Sequence, residues 1–80
     1  MGFHSDAYRR FAAALKAERT RRGLTQRDLA SRMGRDHTYI TKYETCVRRL
    51  DVIEMLEVLE AMGVDPAAFV AELASIPRPA

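Results

Sequence analysis

The stretch from Thr25 to Glu44, TQRDLASRMGRDHTYITKYE, constrains the fold of this chain more than any other. Its apolar residues recur at helical spacing in two short runs, and Gly34 stands between the runs. Glycine adopts the left-handed backbone that ends a helix and turns the chain. Thr25 and Asp36, which precede the two runs, are residues that commonly cap a helix at its start. The stretch therefore predicts two short helices joined by a tight turn.

The second of these predicted helices, His37 to Tyr43, has two unlike edges. Ile40 and Tyr43 fall on its inner face, whereas the opposite edge is polar. A helix with one buried edge and one polar edge suits entry into the major groove of DNA. The polar edge consists of His37, Thr38, Thr41 and Lys42.

Four residues of the stretch, Gln26, Ala30, Gly34 and Ile40, follow a family pattern. With its flanking segments the stretch resembles the Cro/C1-type (XRE) helix-turn-helix family over roughly residues 11–73. The resemblance implies an all-α, compact five-helix fold similar to lambda repressor, in which helices 2 and 3 form the helix-turn-helix. It also implies a transcriptional regulator that binds double-stranded DNA, on a palindromic operator, as a homodimer.

Three further helices are predicted outside this stretch. The first begins at Ser5 or Asp6 and ends near Arg22, the fourth covers residues 52–62, and the fifth opens at Pro66. The predicted organisation is an N-terminal tail over residues 1–5, a single domain over 6–76 and a C-terminal tail over 77–80.

The composition narrows the class of protein. Eighty residues suffice for one domain, and the sequence contains neither an apolar run near 18 residues nor a secretory signal. A single cysteine permits no internal disulfide, which agrees with a reducing cytoplasm. We expect a cytoplasmic protein without a membrane segment or a separate domain for a small-molecule ligand.

The charge is unevenly distributed along the chain. Residues 1–50 carry twelve Lys and Arg against five Asp and Glu, a net charge of +7. Residues 51–80 carry one Arg against six acidic residues, a net charge of −5. The basic half contains the predicted helix-turn-helix, so its charge favours contact with a phosphate backbone.

The resemblance and the chemistry of the side chains together predict the DNA contacts. Lysine donates to guanine acceptors, threonine offers a methyl or a hydroxyl group, and histidine donates to an acceptor. We expect base contacts from His37, Thr38, Thr41 and Lys42, each with a phosphate contact or no contact as the alternative. We expect phosphate contacts from Gln26, Arg35, Tyr39 and Arg48.

Two further expectations follow from the resemblance. Arg19 and Glu44 stand at positions where family members often have an ion pair, so we expect a structural pair that ties the first helix to the third. Family members usually have glycine where Cys46 stands, because the backbone there often turns left-handed close to a phosphate. A cysteine disfavours that conformation, so we expect this loop to take a different course.

The fourth and fifth predicted helices carry more apolar residues than one core face needs. We interpret the surplus as a dimer interface, with closure of the five-helix core as the alternative. The candidate interface residues are Val58, Met62, Phe69, Val70 and Leu73.

No catalytic, cofactor or metal motif is present in the sequence. The chain has two histidines and one cysteine, too few for a metal site of the usual four ligands. We therefore expect neither an enzyme nor a cofactor. An alternative function is a protein-binding module on the same fold, an antiactivator or antitoxin-like partner of another regulatory protein. A non-specific architectural DNA binder is a third.

Overall fold

Five α-helices and no strand make up residues 5–75, which are the residues that the computed structural model describes. The helices are α1 (Asp6–Arg21), α2 (Gln26–Met33), α3 (His37–Glu44), α4 (Val52–Met62) and α5 (Pro66–Ala74). The predicted all-α, five-helix fold is confirmed, with helix ends that differ from the expected ones by at most one residue. Residues 1–4 of the predicted N-terminal tail and the predicted C-terminal tail, 77–80, lie outside the described residues. None of the described helices has the length and hydropathy needed to cross a bilayer.

Each helix begins at a side-chain cap that satisfies a free backbone N–H group. Thr25 and Asp28 form a complete capping box at α2, and Asp51 and Glu54 form another at α4. Because each cap lies next to the helix it starts, these boundaries depend on local sequence alone. The five capping residues are Ser5, Thr25, Asp36, Asp51 and Asp65.

The turn between α2 and α3 is short because Gly34 takes the left-handed conformation, with φ of 66°. The N–H of Arg35 then donates back to the carbonyl of Ala30 over 2.9 Å. Asp36 caps α3 immediately afterwards through the N–H of Thr38, at 2.9 Å. These contacts fix the angle at which α3 leaves α2.

The core lies between the inner faces of all five helices. From α3 it contains Ile40 and Tyr43, both with no exposed surface. Burial of two large side chains stabilises the packing of α3 by several kcal/mol, at about 1.5–3 kcal/mol for each. The largest fully buried side chains are Tyr43, Leu15, Leu29, Ile40, Leu59 and Val58.

Three of the candidate interface residues belong to this core, which corrects their assignment. Val58, Met62 and Phe69 are 0%, 3% and 4% exposed, because α5 folds back and places Phe69 against α1. Their side chains stabilise the single chain and cannot reach a partner. Of the remaining candidates, Leu73 is half-buried and Val70 is exposed. The apolar residues of α4 that do face solvent are Val52, Ile53 and Leu56.

Arg19 and Glu44, the residues expected to pair, join α1 to the end of α3. Arg19 Nε donates to Glu44 Oε2 over 2.7 Å, and Nη2 donates to Oε1 over 3.1 Å. The two side chains are 9% and 3% exposed. Arg19 also donates to the carbonyl of Leu24 at 2.7 Å, and the Glu44 hydrogen bond raises its pKa above the ordinary value. The pair is therefore buried, two-pronged and tied to the α1–α2 loop.

Replacing Glu44 with alanine is expected to lower the free energy of unfolding by about 3–5 kcal/mol, because Arg19 would remain buried without its partner. Urea denaturation followed by circular dichroism measures the change. Glu72→Ala, on an exposed position of α5, is the control and is expected to change stability by less than about 0.5 kcal/mol. A loss no larger than the roughly 1 kcal/mol of an exposed ion pair would contradict the structural role of Glu44.

Candidate nucleic-acid interface

The outer edge of α3 is polar and open to solvent. Thr38, Lys42 and Thr45 are exposed along it, on the side of the helix opposite Ile40 and Tyr43. These three residues are called the exposed edge below. Thr38 and Lys42 were expected to contact bases, whereas Thr45 was not among the predicted contacts. The exposed edge offers hydroxyl, methyl and ammonium groups, which are the groups that read base edges in a major groove.

One flank of α3 is built around Gln26, the first residue of α2. The Thr41 hydroxyl donates to Gln26 Oε1 over 2.7 Å, and Gln26 Nε2 donates to Glu44 Oε1 over 3.0 Å. Both ends of the amide are thus held by α3, and one of its two N–H donors remains for an external acceptor. This Gln26 flank, Gln26 with Thr41, gives Thr41 a role that sequence reasoning missed: its hydroxyl proton positions Gln26.

His37 lies at the start of α3 on the same side. Its Nδ1 is 3.4 Å from the Asp36 carboxylate, and its side chain is about one-third exposed, at 36%. Together with Gln26 and Arg27 it lines a shallow groove at the N-terminal ends of α2 and α3. The groove places an imidazole, an amide and a guanidinium side by side at two helix N-termini, a setting that favours an anion.

The opposite flank of α3 brings together three of the predicted phosphate contacts. The guanidinium carbons of Arg35 and Arg48 lie 4.3 Å and 5.1 Å from the centre of the Tyr39 ring. We call these three residues the Tyr39 flank. The two cations stack against the aromatic ring, which orders their long side chains. Burial raises the pKa of the Tyr39 hydroxyl, and its oxygen is buried without a hydrogen-bond partner among residues 5–75.

Two carboxylates of α4 reach the Tyr39 flank. Glu54 accepts a hydrogen bond from Arg48, and Glu57 lies 3.8 Å from Arg35. The contact with Arg48 lowers the pKa of Glu54, and it raises the pKa of Arg48. A phosphate approaching this flank therefore competes with acidic side chains for both cations.

The loop after α3 corrects the expectation attached to Cys46. Cys46 has φ of 63°, so this cysteine adopts the left-handed conformation that was expected only of glycine. The backbone N–H groups of Cys46, Val47 and Arg48 donate to the last carbonyls of α3, at 3.2, 2.8 and 3.1 Å. These donors close the end of the helix and are used up there. Arg48 can therefore reach a phosphate only by its side chain.

Tyr8 anchors the far side of the same loop, which sequence reasoning missed because the contact joins residues forty positions apart. Its hydroxyl donates to the carbonyl of Arg48 over 3.3 Å and accepts from the N–H of Leu50 at 3.0 Å. The Arg49 guanidinium lies 4.6 Å from the centre of the Tyr8 ring. The loop is therefore held from both ends, by α3 and by α1.

No residue group in the part of the chain described by the structure is arranged to hold a metal ion. Specifically, no set of three or more His, Cys, Asp and Glu side chains converges within residues 5–75.

A family model for the helix-turn-helix domain matches residues 10–74. A solved structure named as an XRE-family like protein from Pseudomonas syringae pv. tomato str. DC3000 is 38% identical, with a TM-score of 0.83 over 89% of this chain and 88% of that one. This chain belongs to the XRE helix-turn-helix family. The predicted Cro/C1-type resemblance is confirmed, and α2 and α3 are the two helices of the motif. No curated protein matches the sequence.

This helix-turn-helix domain is also similar to a restriction-modification controller protein, C.Esp1396I. The wild-type structure is 27% identical, with a TM-score of 0.81 over 89% of this chain and 92% of that one. A second structure of the controller, its tetramer in complex with its natural 35 base-pair operator, is 27% identical with a TM-score of 0.81. It covers 89% of this chain and 93% of the controller chain.

The left-handed backbone of Cys46 can be tested by substitution, because it is strained for any residue other than glycine. Cys46→Gly is expected to raise the free energy of unfolding by up to about 1 kcal/mol, because a left-handed L-residue costs roughly 1–2 kcal/mol and glycine returns part of that in unfolded-state entropy. Cys46→Val is expected to destabilise, since a branched side chain fits this conformation worst. Cys46→Ala keeps Cβ and serves as the control in urea denaturation. If Cys46→Gly unfolds at lower urea than Cys46→Ala, the loop is not strained at this residue.

Proposed function

We propose that this helix-turn-helix domain is a sequence-specific DNA-binding transcriptional regulator, and that α3 lies in the major groove of its operator. The observation that carries the proposal is the exposed edge of α3, which stays open while Ile40 and Tyr43 anchor the opposite edge with no exposed surface. An eight-residue helix held in this way presents its polar side chains at fixed positions. The proposal includes cytoplasmic localisation and needs no cofactor or catalytic step.

The position of each side chain on α3 and its flanks separates the proposed base contacts from the proposed phosphate contacts. Thr38 and Lys42 read bases from the exposed edge, and His37 extends the reading surface at the start of the helix. Thr41 acts mainly through Gln26, because its hydroxyl donates to that amide. Phosphate contacts come from Gln26 on one flank and from the Tyr39 flank on the other.

The similarity to the controller protein supports DNA binding by this domain. That protein is named in complex with its operator, and its chain aligns with almost the whole of this domain. Residues 1–50 carry a net charge of +7. This positive charge attracts the phosphate backbone of DNA over a long range.

Replacing Lys42 with alanine is expected to reduce the ratio of specific to scrambled DNA affinity by the equivalent of about 1–3 kcal/mol, because a donor to one base pair is lost. The specific duplex is selected by the wild-type protein from a random pool, and fluorescence anisotropy measures both affinities. Arg35→Gln is the contrasting variant. It is expected to weaken binding to both duplexes equally and to flatten the salt dependence by about one unit. An unchanged ratio for Lys42→Ala would show that Lys42 does not read a base.

We further propose that two copies pair through the solvent-facing apolar residues of α4 and α5 and bind a palindromic operator. Val52, Ile53, Leu56 and Val70 are the large apolar residues that these helices expose. Pairing would place two copies of α3 about 34 Å apart, on successive major grooves of one DNA face. This surface replaces the interface expected at Val58, Met62 and Phe69, which the core occupies.

Ile53→Glu is expected to shift the protein from dimer to monomer in sedimentation at micromolar concentration, because a buried charge would oppose pairing. Val47→Glu is the control: Val47 is 71% exposed and Ile53 61%, but Val47 lies in the loop before α4 and should leave the dimer intact. A wild-type protein that stays monomeric at every concentration would contradict the homodimer. That result would favour the alternative function, in which this surface binds another regulatory protein.

A further inference from the structure

A line of exposed residues runs along one face of α1 beside the grooves that border α3. Arg9, Ala13, Lys16 and Thr20 are spaced by four, three and four residues, so they share one face of the helix, and all are exposed. We call them the α1 stripe. Neither cation of the stripe forms an ion pair within residues 5–75.

The cations at the C-terminal end of α1 differ in this respect. Arg21 and the capping residue Arg22 both pair with Glu18, and Arg19 is buried against Glu44. Arg10 is half-buried and does not lie on the stripe. Arg21 lies about 140° around the helix from Lys16, at 3.6 residues per turn. The free positive charge of α1 is therefore concentrated on the stripe.

The stripe borders α3 at both of its ends. At the C-terminal end, Arg9, Ala13 and Lys16 form one wall of a groove. The facing wall is Glu44, Thr45 and Cys46.

At the N-terminal end, Thr20 lines the groove that also contains Gln26, Arg27 and His37. The two grooves follow the same side of α3. The stripe thus extends the Gln26 flank along the whole length of the helix.

Among residues 5–75, the one carboxylate that borders the groove beside Arg9 and Lys16 is already neutralised. Glu44 accepts two hydrogen bonds from Arg19 and one from Gln26, and its side chain is 3% exposed. Arg9 and Lys16 consequently face a wall without a competing anion. On the Tyr39 flank, by contrast, Glu54 and Glu57 hold both cations.

A helix in the major groove has a phosphate backbone on each side. Tyr39 and Thr41 point about 160° apart around α3, so the Tyr39 flank and the Gln26 flank face different strands. The first flank has two arginines. The second has a neutral amide and, only at the N-terminal end of α3, the guanidinium of Arg27. We propose that Arg9 and Lys16 of the α1 stripe bind phosphates of the strand on the Gln26 side, an inference that rests on the proposed DNA binding.

Salt titration of DNA affinity tests the proposed phosphate contacts of Arg9 and Lys16. Lys16→Gln and Arg9→Gln are each expected to reduce the slope of log affinity against log salt by about 0.9. The loss of affinity between 50 and 200 mM salt would then be about threefold to fourfold smaller for each variant than for the wild type. The ratio of affinities for the selected duplex and a scrambled duplex of the same length should not change, because phosphates carry no sequence.

Arg21→Gln removes the same charge from the opposite side of α1 and is expected to keep the wild-type slope. Ethylation interference on the selected duplex gives a second readout. Within each half-site, Lys16→Gln should lose interference on one strand, and Arg48→Gln should lose it on the other. Circular dichroism and sedimentation confirm that each variant keeps the wild-type fold and assembly.

Three results would overturn the inference in distinguishable ways. A wild-type protein that binds no duplex removes the proposed function, and this inference with it. If Arg9→Gln and Lys16→Gln bind DNA with the wild-type salt slope, the proposed phosphate contacts of the α1 stripe are wrong, but the proposed function stands. Equal effects of Arg21→Gln and Lys16→Gln would show that net charge, and not the position of the stripe, determines the affinity.

Discussion

The arrangement of α3 depends on a series of hydrogen bonds that runs from the buried Arg19–Glu44 pair through Gln26 to Thr41. It connects three helices at the point where they meet. Removing Arg19 or Glu44 leaves a buried charge unpaired, and that penalty exceeds the value of an exposed contact. These hydrogen bonds orient α3. They also fix which end of the Gln26 amide faces Thr41 and which end faces Glu44. Stability and recognition share these four residues.

The two flanks of α3 obtain their order by different means. On the Tyr39 flank, an aromatic ring and two α4 carboxylates hold Arg35 and Arg48, so the cations are positioned before any ligand arrives. Their attraction for a phosphate is reduced by the same carboxylates. On the Gln26 flank, the amide is held by two hydrogen bonds, and the nearby Arg9 and Lys16 are exposed and form no ion pair within residues 5–75. One flank therefore has cations that acidic neighbours already contact, and the other has cations without an acidic partner among those residues.

Sequence alone predicted the features that depend on neighbours in the chain. The caps at Thr25, Asp36 and Asp51 act within three residues, so their chemistry identifies each helix start. The Thr41 contact with Gln26 spans fifteen residues and the Tyr8 contact with Leu50 spans forty-two, and no local pattern indicates them. The misassigned interface has a similar cause. Almost every side of α4 is apolar, so which side faces the core depends on where the other helices pack.

The basic and acidic halves of the sequence lie against each other in the fold. The acidic second half meets the basic surface, because Glu54 and Glu57 of α4 form ion pairs with Arg48 and Arg35. The same helix exposes apolar side chains at Val52, Ile53 and Leu56. The Arg48–Glu54 ion pair therefore connects the flank of α3 to the first turn of α4, the helix that carries most of the proposed pairing surface. The Asp51–Glu54 capping box strengthens this link, since Glu54 also accepts the N–H of Asp51, at 3.0 Å. One carboxylate thus joins the start of α4 to the flank of α3, and the position of each constrains the other.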